Sequence, residues 1–106
     1  MVKRGEVWLI NLDPTVGSEI QKTRPCVVVS PVEMNAHLRT VIVAPMSSSG
    51  FDAPFRPPLT FQGTKGRILL DQIRTVDKLR LVKKLGSLSA HTQQKMLGTL
   101  QELFAQ

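Results

Sequence analysis

A long charged loop between two apolar strand patterns constrains the fold of this chain more than any other feature. The loop separates EVWLINL at residues 6–12 from the β-branched run at residues 26–30. It contains carboxylates as well as cations, namely Asp13, Glu19, Lys22 and Arg24. Loops held at both ends by rigid strands tend to carry binding or catalytic residues. We therefore expect the functional site to be built around this loop.

The remaining patterns predict a small, mainly β fold with a helix at its end. Strand patterns cover residues 6–12, 26–30, 39–46, 59–61, 67–73 and 82–88. A short helical turn is predicted within 32–38 and a hairpin turn at 63–66. Ser89 is a suitable N-cap for a terminal helix with one apolar stripe, formed by Met96, Leu97, Leu100, Leu103 and Phe104. The predicted architecture is a strongly curved antiparallel sheet or barrel with a C-terminal α-helix.

Length and composition favour one domain. The chain has 106 residues, of which 42% are hydrophobic, so residues 1–106 are predicted to form a single domain with a modest core. The only cysteine, Cys26, lies in an apolar run and is interpreted as a small hydrophobe rather than a nucleophile. Because the chain has no signal-peptide core and no membrane-spanning apolar run, we expect a cytoplasmic protein with no membrane partner.

The charge balance favours a polyanionic partner. The formal net charge is +6, and the sequence pI is about 10.1. The lysines and arginines are spread through many segments rather than gathered in one tail, which predicts a folded basic face. The simpler alternative is a basic surface that has no role in nucleic-acid binding.

Several classes of chemistry have no support in the sequence. The chain has no Cys/His cluster at metal-binding spacing and no phosphate-binding or dinucleotide-binding glycine motif. It also lacks the GxSxG elbow of serine hydrolases. His37 and His91 are the only histidines, and His91 is expected at the surface in the first turn of the tail helix. A two-histidine acid–base pair is therefore weakly supported.

The polar residues near the predicted strand ends suggest a different reaction. They comprise a guanidinium, hydroxyls, carboxylates and an amide, from Glu19, Arg24, Ser47, Ser48, Asp71, Gln72 and Arg74. A carboxylate base and a cation are sufficient to cleave RNA through its own 2′-hydroxyl, with the guanidinium stabilising charge on the phosphate. No metal or cofactor is required, because the nucleophile belongs to the substrate. The alternatives are a surface salt bridge between Arg24 and Glu19, and a turn-forming role for Asp71.

Four motifs, in order, resemble the MazF/PemK/Kid toxins of bacterial toxin–antitoxin systems. They are DPTVGSE at 13–19, RPCVVVSP at 24–31, VIVAPMSS at 41–48 and LLDQIRTVDK at 69–78. The resemblance implies an SH3-like, plasmid-maintenance-toxin barrel, a homodimer and a metal-independent endoribonuclease. Such an enzyme cuts single-stranded RNA at short sequences and leaves a 2′,3′-cyclic phosphate and a 5′-hydroxyl. The implied partner is an antitoxin whose C-terminal segment covers the RNA groove.

The resemblance also implies roles for individual residues. Arg24 matches the main catalytic cation, Glu19 matches the glutamate of the GSE turn, and Ser47 replaces the usual threonine while keeping the hydroxyl. Asp71 matches the proton acceptor of the Kid branch, but that branch has an arginine where this chain has Leu69. Arg24 and Ser47 therefore rank above Asp71. The predicted RNA contacts are Lys22, Ser48, Phe55, Arg56, Gln72 and Arg74. Phe55 is a candidate for stacking on a base, and a core or interface role is the alternative.

Two rival interpretations keep a similar fold. One is a toxin that inhibits DNA gyrase by protein contact, without cleaving RNA. Such toxins lack the Arg-Pro corner with its hydroxyl partner, which this chain has at Arg24 and Ser47. The other is a noncatalytic SH3-like module that binds proline-rich peptides. That mode of binding requires an aromatic-lined groove, and this chain has no tyrosine and one tryptophan.

Overall fold

The computed structural model describes residues 1–106 as a curled antiparallel sheet that carries a C-terminal helix. The strands are β1 (Glu6–Asn11), β2 (Thr23–Val28), β3 (Thr40–Ser47), β4 (Pro58–Phe61), β5 (Thr64–Ile68), β6 (Arg74–Asp77) and β7 (Leu81–Ser87). The helices are α1 (Val32–His37) and α2 (Ala90–Phe104), and short 3-10 turns occupy Leu70–Gln72 and Lys78–Arg80. The predicted fold class, mainly β with a C-terminal helix, is confirmed. None of the helices is long and apolar enough to span a membrane.

The long strand β3 organises the sheet. The strands run in the order β4-β5-β3-β2-β1-β7, and β6 pairs with β3 outside this path. One half of β3 pairs with β6 through Thr40–Val43, and its last residues, Met46 and Ser47, pair with β5. The sheet then curls until the β4–β5 hairpin reaches β7, where the Gln62 Nε2 donates to the Leu85 carbonyl at 2.7 Å. This contact brings the two ends of the sheet together.

Both faces of the central strands are buried, as the apolar runs predicted. Along β2, Val27 belongs to the cluster beneath α2, whereas Cys26 and Val28 point into a second cluster on the opposite face. Burial raises the pKa of the Cys26 thiol to about 12, so the thiol stays protonated and unreactive near neutral pH. The interpretation of Cys26 as a core residue agrees with this position.

Helix α2 begins as predicted but buries less of its stripe than expected. The Ser89 Oγ accepts a hydrogen bond from the Thr92 N–H at 3.2 Å, which caps the helix. Met96 is fully buried, and Leu97 and Leu100 pack against the same cluster. Leu103 and Phe104, at the end of the stripe, are 39% and 71% exposed. The predicted stripe is therefore buried only in its first part.

One strand prediction and one turn prediction in the second half of the chain are wrong. The run at 67–73 is not one strand, because β5 ends at Ile68, the chain turns through Leu70–Gln72, and β6 begins at Arg74. Leu69 and Leu70 are both buried, so the apolar pattern continues through the turn although the strand ends before it. The hairpin turn lies at Gln62 and Gly63, which both have positive φ, and not at 63–66.

Gly66 has a different role from the predicted turn. It lies within β5, where a Cβ would approach the carbonyl oxygen of Ser47 to 2.8 Å. Only glycine permits this close approach between β5 and the end of β3. The contact fixes the hairpin beside Ser47 and so helps to form the cavity described below.

Candidate active site

Arg24 lies on strand β2, which begins at Thr23 rather than at the predicted residue 26. It pairs with Ile10 of β1, and its half-buried side chain donates from Nε to the carbonyl of Gln21 at 3.1 Å. The ion pairs of the structure join Arg56 to Asp71, Arg67 to Asp52 and Lys84 to Glu6. The alternative of an Arg24–Glu19 salt bridge is therefore not found, and no carboxylate neutralises the Arg24 charge.

Ser47 ends strand β3 and shares a cavity with Arg24. The Ser47 Oγ accepts a hydrogen bond from the Ser49 N–H at 3.2 Å and lies 3.3 Å from the Ser49 Oγ. The cavity has a volume of about 250 Å³. Its lining combines cations, hydroxyls and a few apolar groups, from Arg24, Pro25, Met46, Ser47, Ser48, Phe61, Gln62, Thr64, Lys65, Gly66 and Leu85. We call it the Arg24–Ser47 cavity, and it offers positive charge beside hydroxyl groups.

Lys65 lines the Arg24–Ser47 cavity, although it was not among the predicted site residues. It is exposed on β5 and lines the Arg24–Ser47 cavity, which it reaches because the hairpin folds back beside β3. Lys65 also lines an adjoining groove with Arg67 and Thr60. The only sequence signal was a lysine next to Gly66 at a predicted turn, which does not indicate where the hairpin points.

A second cavity gathers the predicted carboxylates. It has a volume of about 390 Å³ and is lined by Ser18, Glu19, Ile20, Asp71, Gln72, Ile73 and Arg74. The Glu19 Oε1 accepts a hydrogen bond from the Val16 N–H at 2.7 Å, and the side chain of Glu19 is exposed. We call this the Glu19–Asp71 cavity. The four predicted catalytic residues are thus divided between two cavities, with no carboxylate lining the one that holds Arg24.

Gln72 and Arg74 hold the β1–β2 loop (residues 12–22) in place. The Gln72 Oε1 accepts a hydrogen bond from the Ile20 N–H at 2.8 Å. The Arg74 Nη1 donates to the Leu12 carbonyl at 3.1 Å. Both residues, which were predicted as RNA contacts, line the Glu19–Asp71 cavity, but their polar ends bind the loop backbone. They therefore position the loop that carries Glu19.

Asp71 is held by Arg56 through two hydrogen bonds. The Arg56 Nε donates to Oδ1 at 2.9 Å, and Nη2 donates to Oδ2 at 2.8 Å. These bonds lower the pKa of Asp71 below its ordinary value, although partial burial opposes the shift. The same contact raises the pKa of Arg56. Asp71 is consequently ionised at neutral pH and is a weak proton acceptor.

The remaining predicted residues lie in different places. Ser48 is exposed and lines the Arg24–Ser47 cavity. Lys22 is exposed in the β1–β2 loop with a φ of 71°, and its N–H donates to the Asp13 Oδ1 at 2.9 Å. Phe55 lines a separate pocket with Thr99 and Leu103 of α2, and it lines neither of the two cavities.

His37 and His91 are both exposed, on α1 and α2. No three His, Cys, Asp or Glu side chains are grouped closely enough to hold a metal ion.

Comparison with known proteins gives consistent matches over most of the chain. Residues 3–104 match the family described as PemK-like, MazF-like toxin of type II toxin–antitoxin systems. The endoribonuclease PemK of Escherichia coli is 39% identical over 105 residues, spanning 93% of this chain and 79% of that protein. The endoribonuclease MazF of Staphylococcus epidermidis is 38% identical over 95 residues, spanning 84% of this chain and 79% of that protein.

Solved structures show the same fold. The crystal structure of MazF from Deinococcus radiodurans superposes with a TM-score of 0.85 at 27% identity, covering 96% of this chain and 94% of that chain. An endoribonuclease in complex with its cognate antitoxin, from a mycobacterial species, gives a TM-score of 0.81 at 21% identity. The superposition covers 96% of this chain and 93% of that endoribonuclease chain.

Proposed function

Because this chain belongs to the PemK-like, MazF-like toxin family and is an endoribonuclease, we propose that it cleaves single-stranded RNA without a metal ion. A carboxylate takes the proton of the ribose 2′-hydroxyl as its oxygen attacks the adjacent phosphorus, the bond from phosphorus to the 5′-oxygen breaks, and water protonates the leaving 5′-oxygen. The products are a 2′,3′-cyclic phosphate and a 5′-hydroxyl. The observation that carries this proposal is that Arg24 and Ser47 line one cavity.

Arg24 supplies the positive charge in this mechanism. Its guanidinium is half-buried and has no carboxylate partner, so its charge is available to a phosphate. Charge develops on the phosphate oxygens as the 2′-oxygen attacks, and a fixed cation stabilises this transition state. The Ser47 hydroxyl orients the phosphate or the 2′-oxygen. Lys65, on the same cavity wall, adds charge for binding the backbone.

Glu19 is the better of the two candidate proton acceptors. Asp71 uses both carboxylate oxygens to bind Arg56, which lowers its pKa. The Glu19 Oε1 accepts one backbone hydrogen bond, whereas Oε2 has no partner within the chain. An RNA strand that crosses from one cavity to the other brings a 2′-hydroxyl within reach of this oxygen. Asp71 then acts as a fixed negative charge rather than as the base.

The partners follow from the family and the charge. The toxin acts as a homodimer with a cognate antitoxin, whose C-terminal segment covers the RNA groove. A basic groove suits an acidic peptide as well as an RNA backbone, and the net charge is +6. Among the structural neighbours, one endoribonuclease is bound to its cognate antitoxin. An antitoxin for this chain is therefore expected to inhibit RNA cleavage by competition.

The decisive experiment is cleavage of varied single-stranded transcripts in the presence of EDTA, followed by mapping of both new ends. We expect sequence-specific cuts with 2′,3′-cyclic phosphate and 5′-hydroxyl ends. RNA that stays intact with folded, dimeric protein would contradict the enzymatic proposal. Ends with a 3′-hydroxyl and a 5′-phosphate would contradict attack by the 2′-hydroxyl. Inhibition of gyrase supercoiling without RNA cleavage would instead favour the rival gyrase-inhibiting toxin.

A further inference from the structure

The loop after β3 holds an exposed aromatic ring in a fixed position. We propose that Phe51 is a stacking platform for one unpaired RNA base near the cleaved bond, and so helps to determine sequence specificity. This inference rests on the proposed function, since it assigns a base contact to the same RNA substrate. It also replaces Phe55 as the stacking residue, because Phe55 is half-buried and lines a separate pocket beside α2.

Phe51 is far more exposed than a ring that serves the core. It is 61% exposed, whereas Phe61 is half-buried and packs against the cluster beneath α2. Trp8 is also half-buried, and its Nε1 donates to the Glu6 Oε1 at 3.0 Å. Phe104 is similarly exposed, but it lies at the end of α2. Phe51 is the exposed aromatic ring in the loop that follows Ser47.

A guanidinium covers one face of the Phe51 ring. The Arg56 Cζ lies 4.4 Å from the ring centroid, a cation–π geometry. Arg56 is itself immobilised, because its two hydrogen bonds to Asp71 measure 2.9 and 2.8 Å and its side chain is only 12% exposed. The carboxylate, the guanidinium and the ring form a row in which each group orients the next. The cation–π contact therefore favours one orientation of the ring before any ligand binds.

The open face of the ring suits a nucleobase. Single-stranded RNA is read largely by stacking unpaired bases on aromatic side chains. A rigid ring loses little conformational freedom on binding, which favours affinity. The row also ends at Asp71, which lines the Glu19–Asp71 cavity. Phe51 is thus tied to an element of the candidate active site.

The position of Phe51 in the chain limits which base it can contact. Ser47 and Phe51 are four residues apart, so their Cα atoms are at most about 14 Å apart. A phosphate held at Ser47 therefore places a neighbouring nucleotide within reach of the ring. The platform reads a base close to the cleavage site rather than a remote part of the RNA.

The test uses a short RNA that spans a mapped cleavage site and carries a 2′-O-methyl group at the cleaved nucleotide, which blocks attack. We expect Phe51→Leu to bind this RNA at least about fivefold more weakly than the wild type, as loss of one base–aromatic stack predicts. Phe51→Tyr retains a ring and should bind within about twofold. Phe104→Leu is the matched control, since it removes an equally exposed ring away from both cavities, and its affinity should not change.

A spectroscopic measurement separates stacking from a structural effect. 2-Aminopurine, placed in turn at each nucleotide beside the blocked one, should be quenched at one position by the wild type and by Phe51→Tyr, but not by Phe51→Leu. Equal affinity and equal quenching for the wild type and Phe51→Leu would overturn the proposal. A change of oligomeric state in Phe51→Leu, measured as the mass of the assembly in solution, would also overturn the proposal. It would mean that the ring belongs to a contact between subunits. If the wild type cleaves RNA while Phe51→Leu behaves like Phe104→Leu, only this inference fails and the proposed function stands.

Discussion

At the scale of single residues, the arginines differ in whether a carboxylate binds them. Arg56 and Arg67 form ion pairs with Asp71 and Asp52, whereas Arg24 donates only to a backbone carbonyl. A paired guanidinium must break its bonds before it can bind a phosphate, and an unpaired one need not. Under the proposed mechanism the Arg24 charge is therefore available to a phosphate, whereas the Arg56 charge is bound to Asp71.

The first prediction concerns Arg24. Arg24→Ala should lose at least about 2.7 kcal/mol of transition-state stabilisation, roughly a hundredfold in kcat/KM, because the cation opposite the reacting phosphate is removed. The measurement is the rate of RNA cleavage under single-turnover and steady-state conditions. Arg39→Ala is the control, since Arg39 is exposed and lines neither cavity. Unchanged cleavage by Arg24→Ala would remove Arg24 from the mechanism.

The second prediction concerns the pH dependence of stability. Arg56 lowers the pKa of folded Asp71, so the pair stabilises the protein above the ordinary aspartate pKa of about 3.9, and this contribution is lost as the pH falls through the lower folded value. At pH 7 the free energy of unfolding of the wild type should exceed that of Asp71→Asn by about 0.5–1 kcal/mol. The difference is modest because the ion pair is partly solvated. The difference should shrink below about pH 4. Urea unfolding at several pH values measures it.

Asp52→Asn provides the comparison for this experiment. The Asp52 side chain is 89% exposed in its ion pair with Arg67, so its removal should change stability little at any pH. If Asp52→Asn and Asp71→Asn changed the free energy of unfolding equally, the two hydrogen bonds from Arg56 to Asp71 would stabilise the protein no more than an exposed ion pair does.

At the scale of elements, the β1–β2 loop depends on the segment that follows β5. Gln72 and Arg74 bind the loop backbone at Ile20 and Leu12, and Arg80 donates to the Asp13 carbonyl of the same loop. These contacts join residues that are 52 or more positions apart in the chain. The loop is therefore held by side chains of a distant segment rather than by its own hydrogen bonds alone.

The third prediction tests this support. Gln72→Ala should speed hydrogen exchange of the Ile20 amide at least about tenfold, because that amide loses its acceptor, while global stability falls by only about 1 kcal/mol. Gln62→Ala is the matched control, since it removes a hydrogen bond from the β4–β5 hairpin and should leave Ile20 unaffected. Unchanged exchange at Ile20 in Gln72→Ala would mean that Gln72 does not support the loop.

At the scale of the whole molecule, net charge and its distribution control RNA binding. The net charge of +6 attracts RNA at long range, and the unpaired cations Arg24 and Lys65 meet in one cavity. Three ion pairs use other basic residues, including Lys84, which lies 3.1 Å from the Glu6 carboxylate. The Arg24–Ser47 cavity therefore keeps two cations that no carboxylate neutralises.

The fourth prediction is a salt dependence. With the 2′-O-methyl RNA, log K should fall linearly with log salt concentration, and Arg24→Ala should reduce the slope by about 0.7, the value for one phosphate contact on a single strand. Titrations between low and moderate salt measure the slope. Arg39→Ala should leave it unchanged. An affinity that did not respond to salt would exclude backbone binding as the source of RNA affinity.

Some features followed from local pattern alone. The apolar runs in β1, β2 and β3 predicted buried central strands, and Ser89 predicted the start of α2, because burial period and capping depend on nearby residues. The four motifs predicted the family, whereas the catalytic roles of Arg24 and Ser47 stay predictions. The prediction of one strand over 67–73 was wrong because buried residues such as Leu69 and Leu70 give the same apolar signal in a strand and in a turn.

The sequence by itself thus determined the fold class, the excess of positive charge and the residue types available for catalysis. Only the tertiary structure decided which of these residues meet. It paired Arg56 with Asp71, 15 positions away, left Arg24 unpaired, brought Lys65 beside Ser47 and turned Phe51 rather than Phe55 outward. The physical reason is that charge pairing and exposure depend on distances between segments, which form only when the sheet curls and which no local pattern encodes.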